Sequence, residues 1–430
     1  MSAGGDRRVS TGDAVAPMHG AYDALLFDLD GVLYRADEPV PGAAPTLDAL
    51  RAAGATMRFL TNNSARTPDR VAARLRDMGI EASSAEVLTS GMATAALLRR
   101  ESTEARTAFV VGERGVRQAL DAAGVETLDG EPDRADLVVV GWDRELTYDK
   151  LRTAALLVQR GARLVATNAD VTYPAPDGLW PGAGSILAAV VAATGATPTI
   201  VGKPSRPLFE AAAESTGATH PLVVGDRLDT DIAGAGAMGW DSLLVTTGAS
   251  DLSDLADADT LPTYVAGSLS SLLSPRAPAH PRPARGADLA ALSDLLRASS
   301  VPETALRTAS ARAATTLLPG PGPADPAATA SVLLLEGGLG VLRGVAVARE
   351  FRGQGLGSLV VAAAARDAGR RGVRTLTLLT DGADGFFGRL GFTLVARSEL
   401  PRVVLGDPDA TSGCADTAVA MVREVREVGT

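Results

Sequence analysis

YDALLFDLDGVLY, residues 22–34, is the stretch from which the fold can be read. Tyr22 to Phe27 has the length and apolar content of a short buried strand, and it runs directly into the acidic turn Asp28-Leu29-Asp30-Gly31. Working outward, a helical pattern covers Thr46–Ala53, a second strand Thr56–Leu60 ends in the polar turn Thr61-Asn62-Asn63-Ser64, and a helix over Pro68–Met78 is closed by Gly79. Strands alternating with helices at this spacing predict a parallel, doubly wound α/β sheet. Ligands of such sheets sit beyond the carboxyl ends of the strands, where both polar turns lie. The arrangement returns late in the chain. Strand 199–201 precedes Gly202-Lys203, strand 222–224 precedes Gly225-Asp226, and strand 242–245 precedes Thr247-Gly248.

Two other units are expected. Residues 105–182 carry their own strands and helices and are too long and regular for a single crossover, so they read as an inserted α/β cap between core segments 21–104 and 183–273. Ser274 to Arg285 (SPRAPAHPRPAR) is a proline-rich linker, and 286–425 forms a third unit. At 430 residues with 46% apolar content the chain has room for several buried cores. Its net charge of −10 argues against a nucleic-acid surface, and no apolar run is long enough to span a membrane. Cys414 is the only cysteine, which leaves no internal disulfide. The expected setting is cytoplasmic, and a homo-oligomer is compatible with the sequence. Of the 41 basic residues only Lys150 and Lys203 are lysine. Lys150 reads as a solvated helix residue, His19 as part of a mobile tail, and Cys414 as simply buried.

Taken singly, each polar turn admits a structural reading: an Asx turn, a helix cap or a proline-started helix. Four of them in order, all at strand ends, point to one site. Lys203 supplies a compact positive charge that fits a single oxygen, a task for which the planar guanidinium fork is no substitute.

The stretches DLDGVLY (28–34), LTNNSARTP (60–68), VGKPSRPLF (201–209) and VGDRLDTDIAGA (224–235) resemble the haloacid dehalogenase superfamily. The cap segments ATNADVTYP (166–174) and PGAGS (181–185) are similar to its branch of 4-nitrophenyl phosphate, pyridoxal phosphate, phosphoglycolate and glycerol phosphate phosphatases. The resemblance implies a Mg2+-dependent phosphatase acting through an aspartyl phosphate. It makes Asp28 the nucleophile and Asp30 the general acid and base. The metal would be held by the carboxylates of Asp28 and Asp226 and the carbonyl of Asp30, with Asp231 supporting these ligands. Thr61, Asn62, Asn63 and Lys203 would hold the phosphoryl oxygens, and Asn168 and Asp170 would contact the rest of the substrate. Trp142 and Tyr173 are placed either along the apolar side of the site or in the cap core. The expected substrate is a small phosphorylated metabolite, first glycerol 3-phosphate. Pyridoxal phosphate, phosphoglycolate and nucleotides are the alternatives.

In the third unit, Arg352-Gly353-Gln354-Gly355-Leu356-Gly357 opens an alanine-rich helix, as a pyrophosphate cradle does. With Thr375–Leu379 and GFFGRLGF (385–392), it resembles the GCN5-related N-acetyltransferases, an α+β family. That implies acetyl-CoA at the glycine-rich turn. Phe387 occupies the place of the tyrosine that often protonates the departing thiolate there, so a regulatory or structural module is expected ahead of a bifunctional phosphatase and acetyltransferase.

Overall fold

The computed structural model describes residues 16–101, 105–175, 177–276, 280–307, 313–320, 325–411 and 417–426. Cys414 and its expected burial lie outside the described residues.

The first sheet has six strands in the order Tyr264–Ala266, Asp241–Val245, Pro221–Gly225, Ala24–Asp28, Met57–Thr61 and Val87–Thr89. Every pairing is parallel. Strand Ala24–Asp28 is buried almost throughout, as a central strand covered on both faces must be, which is why its sequence is a continuous apolar run and does not alternate. Phe27 pairs with Val224 on one side and Asp28 with Leu60 on the other. This register brings the chain leaving each of three strands to the same edge.

A second parallel sheet forms the cap, in the order Thr199–Ile200, Arg163–Ala166, Leu137–Val140, Thr107–Val111 and Glu126–Leu128. The expected return to the core at residue 183 is too early. Helix Ala183–Thr194 buries Ala183, Ile186, Leu187 and Val190 against Val140 and Leu157 of the cap, and Thr199–Ile200 pairs with the cap strand 163–166. Lys150 also departs from expectation: its ammonium bonds Asp143 at 2.9 Å, a carboxylate whose side chain is almost fully buried. A buried charge needs such a partner, which explains the second lysine. His19 sits in a short helical turn, Met18–Ala21, anchored by buried Met18 and by its N–H bond to the Ser274 carbonyl at 3.0 Å.

The third sheet has seven strands in the order Arg282–Pro283, Ala313–Pro319, Pro326–Leu335, Leu339–Val347, Thr375–Thr380, Val419–Glu424 and Thr393–Val395. Only Leu339–Val347 and Thr375–Thr380 run parallel. The end of the proline-rich linker is thus the edge strand of this sheet, a place where proline costs no ladder bond. Helix Leu356–Arg370 shares one apolar cluster with Leu228, Ile232, Leu244 and Leu255 of the first sheet's unit, so the third unit is packed directly on it. Among the described residues no helix is long and apolar enough to cross a membrane.

Candidate active site

Asp28 ends the central strand, and the chain behind it is pinned by buried Leu29, Val32 and Leu33. Gly31 turns at φ +78°, and a Cβ on it would lie 2.2 Å from Oδ2 of Asp226. Only glycine lets the acidic turn pass this close to the second carboxylate. Asp226 leaves the neighbouring strand, and its Oδ2 accepts the Ala249 N–H at 2.6 Å. Thr247 Oγ1 donates to the Gly31 carbonyl at 2.7 Å, tying the loop after strand Asp241–Val245 to the acidic turn. Asp231 stands on the wide helical turn Leu228–Ile232 and is fully buried.

Lys203 joins these elements. Its ammonium, 5% exposed as a residue, donates to Asp28 Oδ1 at 2.5 Å and to Asp231 Oδ1 at 2.7 Å. Burial alone would lower its pKa, but the Asp231 and Asp28 carboxylates outweigh that and raise it, so it remains a cation. Asp28 is pushed well above the carboxylate range by burial; Lys203 opposes the shift, and Asp231 and Asp226 add to it. Asp226 is pushed up to about 6, first by burial and then by Asp231. Carboxylate oxygens of Asp28, Asp226 and Asp231 lie within 4.8 Å of one another. Three hard oxygen donors, with more negative charge than one lysine neutralises, suit Mg2+.

Asp30 opens onto the cavity. Loss of water around it raises its pKa, against the field of Arg74 and the Tyr34 hydroxyl that donates to it at 3.3 Å. The structure places Thr61, Asn62 and Asn63 beside Asp28. Thr61 Oγ1 accepts the Asn63 N–H at 3.1 Å and Asn63 Oδ1 accepts the Ala65 N–H at 2.9 Å, which fixes the loop. Asn62 is engaged in scaffold bonds: Oδ1 accepts Lys203 N–H at 2.7 Å, and Nδ2 donates to the Lys203 carbonyl and to Asp170 Oδ2, each at 3.1 Å. Asn168 Nδ2 in turn donates to the Asn62 carbonyl at 2.7 Å. Asn62, Asn168 and Asp170 therefore lock the cap to the core, and Asp170, raised by burial, faces the cavity.

The cavity between cap and core is about 400 Å3. Trp142 and Tyr173 line it and also stack on each other, with ring centroids 4.0 Å apart, so both expected placements hold. Sequence reasoning missed Gly248 and Ala249, which hold Asp226, and Arg227 and Arg35 on the cavity wall. Thr247-Gly248 at a strand end was the available signal. An N–H donor has no side-chain signature at all.

Residues 25–126 match the haloacid dehalogenase-like hydrolase family model, residues 200–272 a HAD-hydrolase-like model, and residues 305–392 the acetyltransferase (GNAT) family model. A 5'-nucleotidase of Bacillus subtilis is 38% identical over 250 residues, 58% of this chain and 96% of its own. The chain belongs to the haloacid dehalogenase-like hydrolases. An acid sugar phosphatase of Staphylococcus aureus is also 38% identical, over 56% of this chain and 93% of its own. Among solved structures, a glycerol phosphate phosphatase from Mycobacterium tuberculosis in complex with magnesium is similar at TM-score 0.67 and 29% identity. That similarity covers 87% of this chain and 99% of the other, so it extends beyond the hydrolase part into the GNAT domain.

In that GNAT domain the glycine-rich turn Arg352–Gly357 caps helix Leu356–Arg370. Gly355 lies against the hydrolase core, where a Cβ would come 2.5 Å from the Val265 carbonyl, and the Gln354 carbonyl accepts Arg276 at 3.3 Å. Phe387 is buried, edge-to-face with Phe386 and Phe392.

Proposed function

We propose that this hydrolase is a Mg2+-dependent phosphatase of small phosphate monoesters, with glycerol 3-phosphate as the leading substrate. The observation that supports this most is buried Lys203 joining Asp28 to Asp231, with the Asp226 carboxylate within 4.8 Å of both, at the floor of the cavity between cap and core. Asp28 and Asp226 with the Asp30 carbonyl would hold Mg2+, with Asp231 orienting them, and the bound ion would draw charge from the phosphoryl oxygens. Lys203 and the N–H and hydroxyl groups of Thr61–Asn63 orient and neutralise the phosphoryl group. The Asp28 carboxylate attacks phosphorus, and the bond to the leaving alkoxide breaks. Asp30, whose raised pKa keeps a protonated fraction available, gives that oxygen its proton. Asp30, now a base, then takes a proton from the water that attacks the aspartyl phosphate, releasing phosphate and restoring Asp28.

The preference for glycerol 3-phosphate rests on the similarity to the mycobacterial glycerol phosphate phosphatase across most of both chains. The 400 Å3 cavity and the 38% identity to a 5'-nucleotidase favour a nucleotide as second reading. Phosphate release from both esters, with Mg2+ or EDTA, separates them: faster hydrolysis of a nucleoside monophosphate than of glycerol 3-phosphate would reverse the order.

The GNAT domain is read as a regulatory or structural module, with acetyl-CoA at Arg352–Gly357, because Phe387 has no proton to give. Calorimetry with acetyl-CoA tests it. Release of free CoA with any amine would favour the bifunctional enzyme.

A further inference from the structure

Arg423 belongs to the last strand of the GNAT domain, yet its guanidinium reaches into the hydrolase core. It is 7% exposed and donates to the Ser253 carbonyl at 2.8 Å, to Asp257 Oδ2 at 2.7 Å and to the Leu390 carbonyl. Two other arginines of the same domain grip the same segment. Arg366 donates to the Asp259 carbonyl at 2.5 Å and Arg426 to the Asp257 carbonyl at 3.4 Å. The segment, residues 253–259, is mostly the short helix Leu252–Asp257, which buries Leu255 and Ala256 in the apolar cluster shared with helix Leu356–Arg370.

The other end of that segment holds the metal carboxylate. Ala249 N–H donates to Asp226 Oδ2 at 2.6 Å, Ser250 N–H donates to the Asp226 carbonyl at 3.1 Å, and Ser250 Oγ accepts the Leu228 N–H at 3.1 Å. Between the two ends, Asp251 and Asp254 close a capping box, with the Asp251 N–H bonded to Asp254 Oδ2 at 2.8 Å. The path from Arg423 to Asp226 therefore runs through the capped helix Leu252–Asp257 and the hydrogen-bonded loop Gly248–Ser250. Partners that orient a metal ligand from outside typically change metal affinity 10–100-fold when removed.

We infer that Arg423 is a positioning residue for the metal site: the GNAT domain holds helix Leu252–Asp257 so that Gly248–Ser250 present Asp226 correctly to Mg2+. This rests on the Mg2+ reading of the previous section. It gives the GNAT domain a role that needs neither acetyl-CoA nor acetyl transfer.

The test is Mg2+ binding to the full chain by calorimetry, without substrate, for wild type, Arg423→Met, Arg423→Lys and Asp257→Asn. Asp257 is the half-exposed partner, so its variant keeps the test open if the buried Arg423→Met variant melts early. The expected result is Mg2+ affinity about tenfold weaker in Arg423→Met, less in Asp257→Asn, and partly recovered in Arg423→Lys. In each folded variant the loss in kcat at saturating Mg2+ should be smaller than the loss in Mg2+ affinity, because the ligands are intact and the change lies at the far end of helix Leu252–Asp257. An exposed ion pair elsewhere in the domain, Arg371–Asp367, supplies the control, and Arg371→Ala should leave Mg2+ affinity unchanged. Wild-type affinity in both Asp257→Asn and a folded Arg423 variant overturns the inference and leaves the phosphatase reading untouched. No Mg2+ binding by wild type at millimolar ion overturns both.

Discussion

Gly248→Ala adds one methyl group against the carboxylate at the centre of the site. A Cβ there would lie 1.9 Å from Asp226 Oδ2 and 2.4 Å from its Cβ and Cγ, whereas ordinary contact begins at 3.4 Å. Backbone strain is not involved, since Gly248 does not adopt a positive φ. The clash falls on a short, buried side chain whose Oδ2 is already bonded to the next residue's N–H at 2.6 Å. Either Asp226 or the Gly248–Ser250 loop must therefore shift by on the order of 1 Å, a displacement that typically costs about 10²-fold in rate, or about 2.7 kcal/mol of transition-state stabilisation. The assay is kcat/KM for phosphate release at saturating Mg2+, with thermal melting to establish that the variant folds. Gly267→Ala is the control, because a Cβ there meets nothing within 4 Å and its φ is ordinary. The expected outcome is a loss of about two orders of magnitude in Gly248→Ala and none in Gly267→Ala. A Gly248→Ala enzyme within about threefold of wild type would refute the idea that this loop sets the position of Asp226.

Lys203→Arg should lose at least about 10²-fold in kcat/KM despite keeping the charge, because a buried slot spanning Asp28 and Asp231 fits an ammonium and not a guanidinium fork; near-normal activity would count against it. Asp226, raised to about 6 from an ordinary value near 4, makes the folded state the better proton binder between those pH values. In EDTA its contribution therefore favours folding below about pH 4 and is lost as pH rises through 6. Wild-type stability relative to Asp226→Asn should fall by about 2–3 kcal/mol from pH 4 to 7, and a flat or rising difference would contradict the shift. Tyr173→Ala removes the half-buried partner of the Trp142 stack at the cavity wall, so KM should rise up to about tenfold with kcat little changed; an unchanged KM would remove Tyr173 from substrate contact.

The strand-to-turn transition at Phe27–Asp28 was legible because a central strand buried on both faces has to be continuously apolar and the next residues are acidic. Lys203 stood out because, Lys150 apart, every other basic residue is arginine. The cap's return was not legible. AGSILAAVVAAT, residues 183–194, is apolar nearly all round, and nothing local says which of two cores it covers. Strand Ala313–Pro319 was missed because AATTLLP has neither alternation nor aromatic content. Gly248–Ser250 act through backbone N–H groups and through space for a neighbour, properties that pairing creates and composition does not. Arg423 was hidden for a further reason: its partners, Ser253 and Asp257, lie in another domain, and one arginine among so many carries no mark.

The phosphatase mechanism depends on Asp28 carrying the phosphoryl group. The direct measurement is phosphate release from glycerol 3-phosphate in Mg2+ by wild type and Asp28→Asn, with intact mass of the acid-quenched wild type during turnover. The expected result is release by wild type alone, abolished by EDTA, and one phosphoryl group on the quenched protein, mapping to Asp28. Full activity in Asp28→Asn, or a phosphoryl group on another residue, would contradict it.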